Sequence, residues 1–186
     1  MSEVSAAAEN MGDWFQAGSV PTIVTKPLGF AEVTIAHVVH DYGPQDSAVR
    51  IPPCGAFLIM LYLTDVEHSD LSPDKHAAPL KKYPQGSICL ISLARGAAIA
   101  VRGPLEALVI HLPRSHLSEL AEHTGGSRID DLTTCRGMED PTVRDIGAAL
   151  LPLVEQDHAQ GSLINHIALA LNAHIVHRYG RSRSTH

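Results

Sequence analysis

Aromatic residues are scarce in this chain: three Phe, four Tyr and one Trp among 186 residues. With 45% hydrophobic content, the core must be built mainly from aliphatic side chains. Basic charge is also short, with 14 Lys and Arg against 20 Asp and Glu and a net charge of −6. A free-standing nucleic-acid binder needs the opposite sign to meet phosphates. Three cysteines, Cys54, Cys89 and Cys135, are odd in number and widely spaced. That pattern argues against a disulfide framework or a zinc ribbon and for reduced thiols. No apolar run approaches the ~18 residues of a membrane span; the longest, 56–63, is strand-sized. The acidic N-terminus lacks the basic-then-apolar order of a signal peptide. These absences point to a cytoplasmic protein that makes no membrane contact. Nucleophile elbows, phosphate loops and dinucleotide fingerprints are missing too.

What is present divides into two halves. From Pro21 to Pro113, short apolar segments alternate with turn residues. Residues 33–39, 57–63, 88–93, 97–101 and 105–112 read as strands, divided by signals such as Tyr42-Gly-Pro, Pro52-Pro53, Tyr83-Pro-Gln-Gly and Arg102-Gly-Pro. Many short strands at this spacing predict a sandwich or barrel. After Pro113 the period lengthens to 3.6. Ser115 is a candidate cap for a helix over 116–123 that Gly125-Gly126 ends. Asp140-Pro141 reads as an N-cap followed by proline at the first helical position. Val143, Ile146, Leu150 and Leu151 supply an apolar face, and Pro152 should kink or end that helix. A last helix runs from Ser162 to Gly180, its stripe formed by Leu163, Ile167, Leu171, Ile175 and Tyr179. The expected organisation is a loose lead-in over 1–20, a barrel over 21–113, a helical segment over 114–180 and a tail over 181–186. Trp14 and Phe15 are placed to dock on the core. The fold class is α+β, with helices on one side of a barrel.

Three stretches look familiar in order and spacing. Ile51-Pro-Pro-Cys-Gly-Ala-Phe-Leu-Ile-Met-Leu-Tyr-Leu63 is one, and Arg102-Gly-Pro-Leu-Glu-Ala-Leu-Val-Ile-His-Leu-Pro-Arg-Ser-His-Leu117 a second. Ile129-Asp-Asp-Leu132, Asp140-Pro141 and the final helix form the third. Together they resemble the N-terminal regulatory domain of AraC-type transcriptional regulators. The resemblance implies a cupin-like jelly-roll β-barrel followed by C-terminal helices, a small effector in the barrel, and dimerisation through helices. It also implies DNA contact only through a helix-turn-helix domain outside these residues; no cofactor is expected. Neither the effector nor the sign of regulation follows from it.

A cupin-like barrel raises metal chemistry as an alternative. Catalytic cupins bring a His-x-His pair, a Glu and a further His around one ion. His-x-His occurs nowhere here. Pro84-Gln-Gly86 resembles a cupin turn, yet Cys89 stands where the ligand His would fall and Leu93 replaces the polar residue further along. We therefore expect no enzyme, no catalytic residues and no metal site. A second alternative is a stand-alone pairing domain that modulates full-length regulators.

The effector reading selects His37, Phe57, Ile59 and Leu61. His37 is in phase with Val33, Ile35 and Val39 and should point into the barrel, either satisfied by a backbone carbonyl or offering an effector its polar contact. Phe57, Ile59 and Leu61 form the more apolar phase of their strand and are equally readable as plain core. His111 should face outward. For dimerisation, the final helix carries more apolar surface than one face needs. Leu163, Ile164 and Ile167 are expected in a homodimer interface, with His166 or His174 at its rim.

Overall fold

The computed structural model describes residues 3–72, 78–156 and 161–182; the end of the tail, 183–186, lies outside the described residues. Twelve strands and four helices follow in this order: α1 (Glu3–Trp14), β1 (Thr22–Thr25), β2 (Val33–Asp41), β3 (Ser47–Ile51), β4 (Ala56–Tyr62), β5 (Val66–Asp70), β6 (Lys81–Tyr83), β7 (Ser87–Ser92), β8 (Ala97–Arg102), β9 (Pro104–Pro113), α2 (Arg114–Thr124), β10 (Asp131–Leu132), β11 (Cys135–Glu139), α3 (Pro141–Glu155), α4 (Gly161–Tyr179) and β12 (Gly180–Arg181). Among the described residues every strand pairing is antiparallel.

The topology is a jelly roll. β2 pairs with β9, β3 with β8, β4 with β7 and β5 with β6, so each pair encloses the next in sequence. Folding that nested hairpin over itself gives two sheets, β1-β2-β9-β4-β7-β11 and β3-β8-β5-β6. Antiparallel sheets tolerate one wet face, but the six-stranded sheet has neither face free at its centre. Leu58, Met60 and Tyr62 of β4 join the apolar cluster between the sheets. Phe57, Ile59 and Leu61 join a second cluster with Leu150 and Val154 of α3 and Leu171 and Ile175 of α4. A strand covered on both sides has to be apolar in both phases, which explains why all seven residues of β4 are buried.

Local sequence signals explain the helices in part. Asp140 caps α3 by accepting from the Val143 backbone N–H at 3.1 Å, and Pro141 follows at the first position. Pro152 lies inside α3, which runs three residues further. Gly147 lets α3 lie close on β4, since a Cβ there would stand 2.3 Å from Leu61 Cδ2. Gly125 ends α2 in the left-handed conformation, φ 62°.

Several expectations need correction. Ser115 does not cap α2; the N-cap is Pro113, without a side-chain bond. Gly180 is not a left-handed cap but pairs as β12 with β10, tucked against the Val176 carbonyl. The segment after 114 is not helical throughout, because β11 adds to the six-stranded sheet beside β7. The lead-in is not loose either. It forms α1, whose Met11 and the following Phe15 are fully buried in the cluster between the sheets.

Candidate functional site

Alternation along each strand decides which side chains enter the space between the sheets. From the six-stranded sheet these are Met60 of β4, Cys89 and Ile91 of β7, and Arg136 of β11, which sits opposite Cys89. From the four-stranded sheet come His68 and Asp70 of β5 and Ile99 of β8. Together with the Arg95–Ala98 turn they enclose a cavity of about 370 Å³. Concave, mainly apolar spaces of this size with a few convergent polar groups are the usual form of a small-molecule site.

Its polar wall is a bonded set. The Tyr62 hydroxyl stands 2.6 Å from His68 Nε2 and 3.4 Å from Cys89 Sγ. The His68 ring stacks on Tyr83, with centroids 4.0 Å apart and planes at 12°. Gly137 makes room for that stack. It occupies a bulge in β11 at φ 65°, where a Cβ would stand 3.1 Å from the Tyr83 ring. Burial pushes the His68 imidazole down to about 4, so it is neutral near pH 7, with Asp70 and Arg136 acting in opposite directions on it. Burial also pushes the Tyr62 phenol well up and holds the Cys89 thiol protonated. His68 is 1% exposed, yet its Nδ1 is buried without a partner among the described residues. A charged latch crosses the mouth, Arg136 Nε lying 3.3 Å from Asp70 Oδ2.

This is also where the cupin-like position fell. Cys89 does line the cavity, but the donors around it are a protonated thiol and a single imidazole, one of whose nitrogens is already bonded to a phenol. Catalytic metal sites take three protein ligands with open lone pairs, and no group of three such residues stands together among the described residues. The donor set does not fit a cupin metal centre.

The effector residues expected from sequence lie on the other side of the sheet. Phe57, Ile59 and Leu61 pack toward the helices, and Arg114 covers the Phe57 ring at 4.4 Å. His37 shares their side, so the expectation that it points into the barrel is corrected. Carboxylates rather than a carbonyl meet its ring: Glu106 at 3.0 Å from Nε2 and Glu155, the last residue of α3, at 3.2 Å from Nδ1. None of these four lines the cavity. His111, expected outside, is 4% exposed and points between the sheets near Cys54 Sγ (3.7 Å) and Trp14. Burial pushes it, too, down to about 4.

On α4 the buried residues are Ile164, Ala168, Leu171, Asn172, Ile175 and Tyr179. Leu163 is 44% exposed and His166 is exposed, its Nδ1 lying 2.7 Å from the Ser162 carbonyl of its own helix. Ile167 is half-buried, while Ile164 is taken up within the fold. His174 is committed elsewhere. Its Nε2 lies 3.0 Å from both oxygens of Asp140, which also accepts from the Tyr179 hydroxyl at 2.8 Å and faces Arg178 at 3.4 Å. Burial alone would raise the Asp140 carboxyl; the bonds from His174, the Val143 N–H and Tyr179 outweigh it and hold the group below its usual range. One buried carboxylate thus clasps the start of α3 to the end of α4.

No family model matches this chain, and no curated protein matches it. Among solved structures it is similar to ToxT from Vibrio cholerae, at 11% identity over 82% of this chain with a TM-score of 0.48. Similarity to the AraC-like transcriptional activator CuxR is 11% identity over 91% of this chain, TM-score 0.47. The chain spans about three fifths of the length of either, 60% and 61%. An RmlC-like cupin family protein with a double-stranded β-helix fold from Methanocaldococcus jannaschii matches at 17% identity. That match covers 50% of this chain and 80% of the other, with a TM-score of 0.32.

Proposed function

We propose that this chain is the effector-sensing and dimerising domain of a cytoplasmic AraC-type transcriptional regulator, with no enzymatic activity of its own. The observation that carries the effector half is the position of β11. Arg136 at the cavity mouth belongs to this strand, and four residues on the same backbone becomes Asp140, the clasp between α3 and α4. A ligand that draws Arg136 away from Asp70 acts on a short, bulged strand anchored directly to the helical layer. That is the physical requirement for an effector to shift a two-state equilibrium: unequal contacts with the two states, here with the latch closed or open. DNA contact falls to a helix-turn-helix domain beyond these residues.

Support for dimerisation is the surplus apolar surface of α4. Leu163 is exposed and Ile167 half-buried, next to the exposed His166, and soluble homo-oligomers most often close as two-fold pairs. Sedimentation at tens of micromolar protein is expected to give a dimer mass. Leu163→Glu with Ile167→Glu should convert it to monomer while the melting temperature of the barrel stays within a few degrees. A monomeric parent protein, or a double variant that stays dimeric, refutes the interface.

A further inference from the structure

Charge is unevenly placed around the cavity. The chain as a whole carries −6, yet the described residues lining the cavity include Arg95 and Arg136 against the single carboxylate of Asp70. An adjoining recess shares Leu71 and the 95–98 turn with the cavity and adds Arg50. Arg136 is latched to Asp70, but neither Arg95 nor Arg50 has an ion pair among the described residues. Arg95 stands at the junction of the two spaces. The inner wall differs in kind: Met60, Ile91 and Ile99 are apolar, and His68 holds one nitrogen without a partner in a fully buried ring.

We propose that the cavity binds a small organic carboxylate with an apolar body, its charged end met by Arg95 and Arg136 and its inner end hydrogen-bonded by His68. The proposal rests on the effector-sensing reading and names the ligand class for that site. A guanidinium binds a carboxylate through two parallel N–H bonds, stronger than neutral contacts. Placing the anion at Arg136 also sets it in competition with Asp70 for the same guanidinium. The apolar body fills the aliphatic wall. With Tyr62 donating to Cys89, His68 Nε2–H donates to the Tyr62 oxygen and Nδ1 is left as an acceptor, so a hydroxyl on the ligand's inner end completes the site. A single-ring acid fits within the volume of about 370 Å³.

The test uses three probes of one shape: 3-phenylpropionate, 3-(4-hydroxyphenyl)propionate and 3-phenylpropionamide. Each is titrated into the full chain by calorimetry, while long-range ¹H–¹⁵N NMR follows the His68 ring. The expected order is hydroxylated acid, then acid, then amide, with the plain acid at least tenfold tighter than the amide and the His68 nitrogens shifting on binding. In Arg95→Gln the acid's advantage over the amide falls below threefold; in Arg128→Gln, outside the cavity, it is unchanged. If the amide binds as well as the acid while His68 still shifts, the carboxylate class is wrong and the cavity remains an effector site. If none of the probes shifts His68 at 10 mM, the carboxylate proposal is overturned, while the effector reading, which names no ligand class, is not.

Discussion

The six-stranded sheet separates two apolar layers that differ in chemistry. Toward the helices, the buried cluster is aliphatic except for Phe57 and Tyr179. Between the sheets, the corresponding cluster includes Met11, Phe15, Tyr62, Tyr83 and Cys89, with His68 and His111 buried nearby. Much of the scarce aromatic content is therefore placed in the layer that also holds the cavity. Buried polar pairs in the helical layer, His116 with Asn172 and Asp140 with His174 and Tyr179, join the helical elements to one another, whereas His68 between the sheets stands beside the cavity. A packed layer and a site-bearing layer share one set of strands, with odd and even residues of β4 serving different ends.

Truncation should expose the difference most clearly. Leu61, 1% exposed and in contact distance of Gly147 on α3, sits where neighbours cannot collapse easily. Leu61→Ala is expected to cost about 4 kcal/mol in chemical denaturation. Met60→Ala, next door but lining a space that already exists, should cost no more than about half as much. Equal losses would mean that the two layers are packed alike.

The margin of the helical layer has one costly point. Asp140 is 2% exposed and serves the α3 cap, His174, Tyr179 and Arg178. Asp140→Asn keeps the shape but removes the charge, and is expected to destabilise by about 3 kcal/mol. In the wild type the sign follows from a carboxyl held low: its contribution is present above the ordinary carboxylate range and disappears as pH falls through the lowered value. The variant should lose that acid-range dependence. If its unfolding free energy matches the wild type at pH 7, the clasp is ornamental.

Milder acid probes the other layer. His68 and His111 are both held neutral by burial, down to about 4 from 6.5. The unfolded chain binds protons first, so stability is complete above about pH 6.5 and declines as pH drops toward 4, by up to about 3 kcal/mol per ring. His116, held low mainly by burial, adds to the same trend from α2. Replacing His68 and His111 with Gln should therefore remove most of the slope in this window, not all of it. A double variant with the wild-type slope would place the titration in the helical layer instead.

These regions were unequally legible in the sequence. Turn residues and alternation pointed to the strands, and the all-apolar run of β4 correctly implied cover on both faces. Its phase could not be read from hydrophobicity, because the more apolar phase, Phe57, Ile59 and Leu61, belongs to the helical layer. The usable signal was the opposite one: Tyr62 is the polar-tipped residue of that strand. His68 was hidden in Glu67-His68-Ser69-Asp70, which reads as surface by composition although His68 and Ser69 are buried. Arg136 was hidden because a five-residue strand with a glycine bulge interrupts a stretch of helical character. Neither residue advertises the long-range pairing that brings it to the cavity.

The smallest expected effect is the most specific to the cavity. Tyr62→Phe keeps the ring and its packing beside Tyr83, 5.6 Å between centroids, and deletes only the hydroxyl. His68 Nε2 then loses its 2.6 Å partner while Nδ1 already has none among the described residues, and Cys89 loses a donor. A buried imidazole with neither nitrogen bonded costs about 1–2 kcal/mol. Filling the cavity by water or by a ligand's hydroxyl offsets part of that cost, so the variant should be rescued more by 3-(4-hydroxyphenyl)propionate than the wild type is stabilised by it. Thermal melts with and without the probe measure both quantities. An unchanged melting temperature in Tyr62→Phe would mean that the phenol does not hold His68 in place.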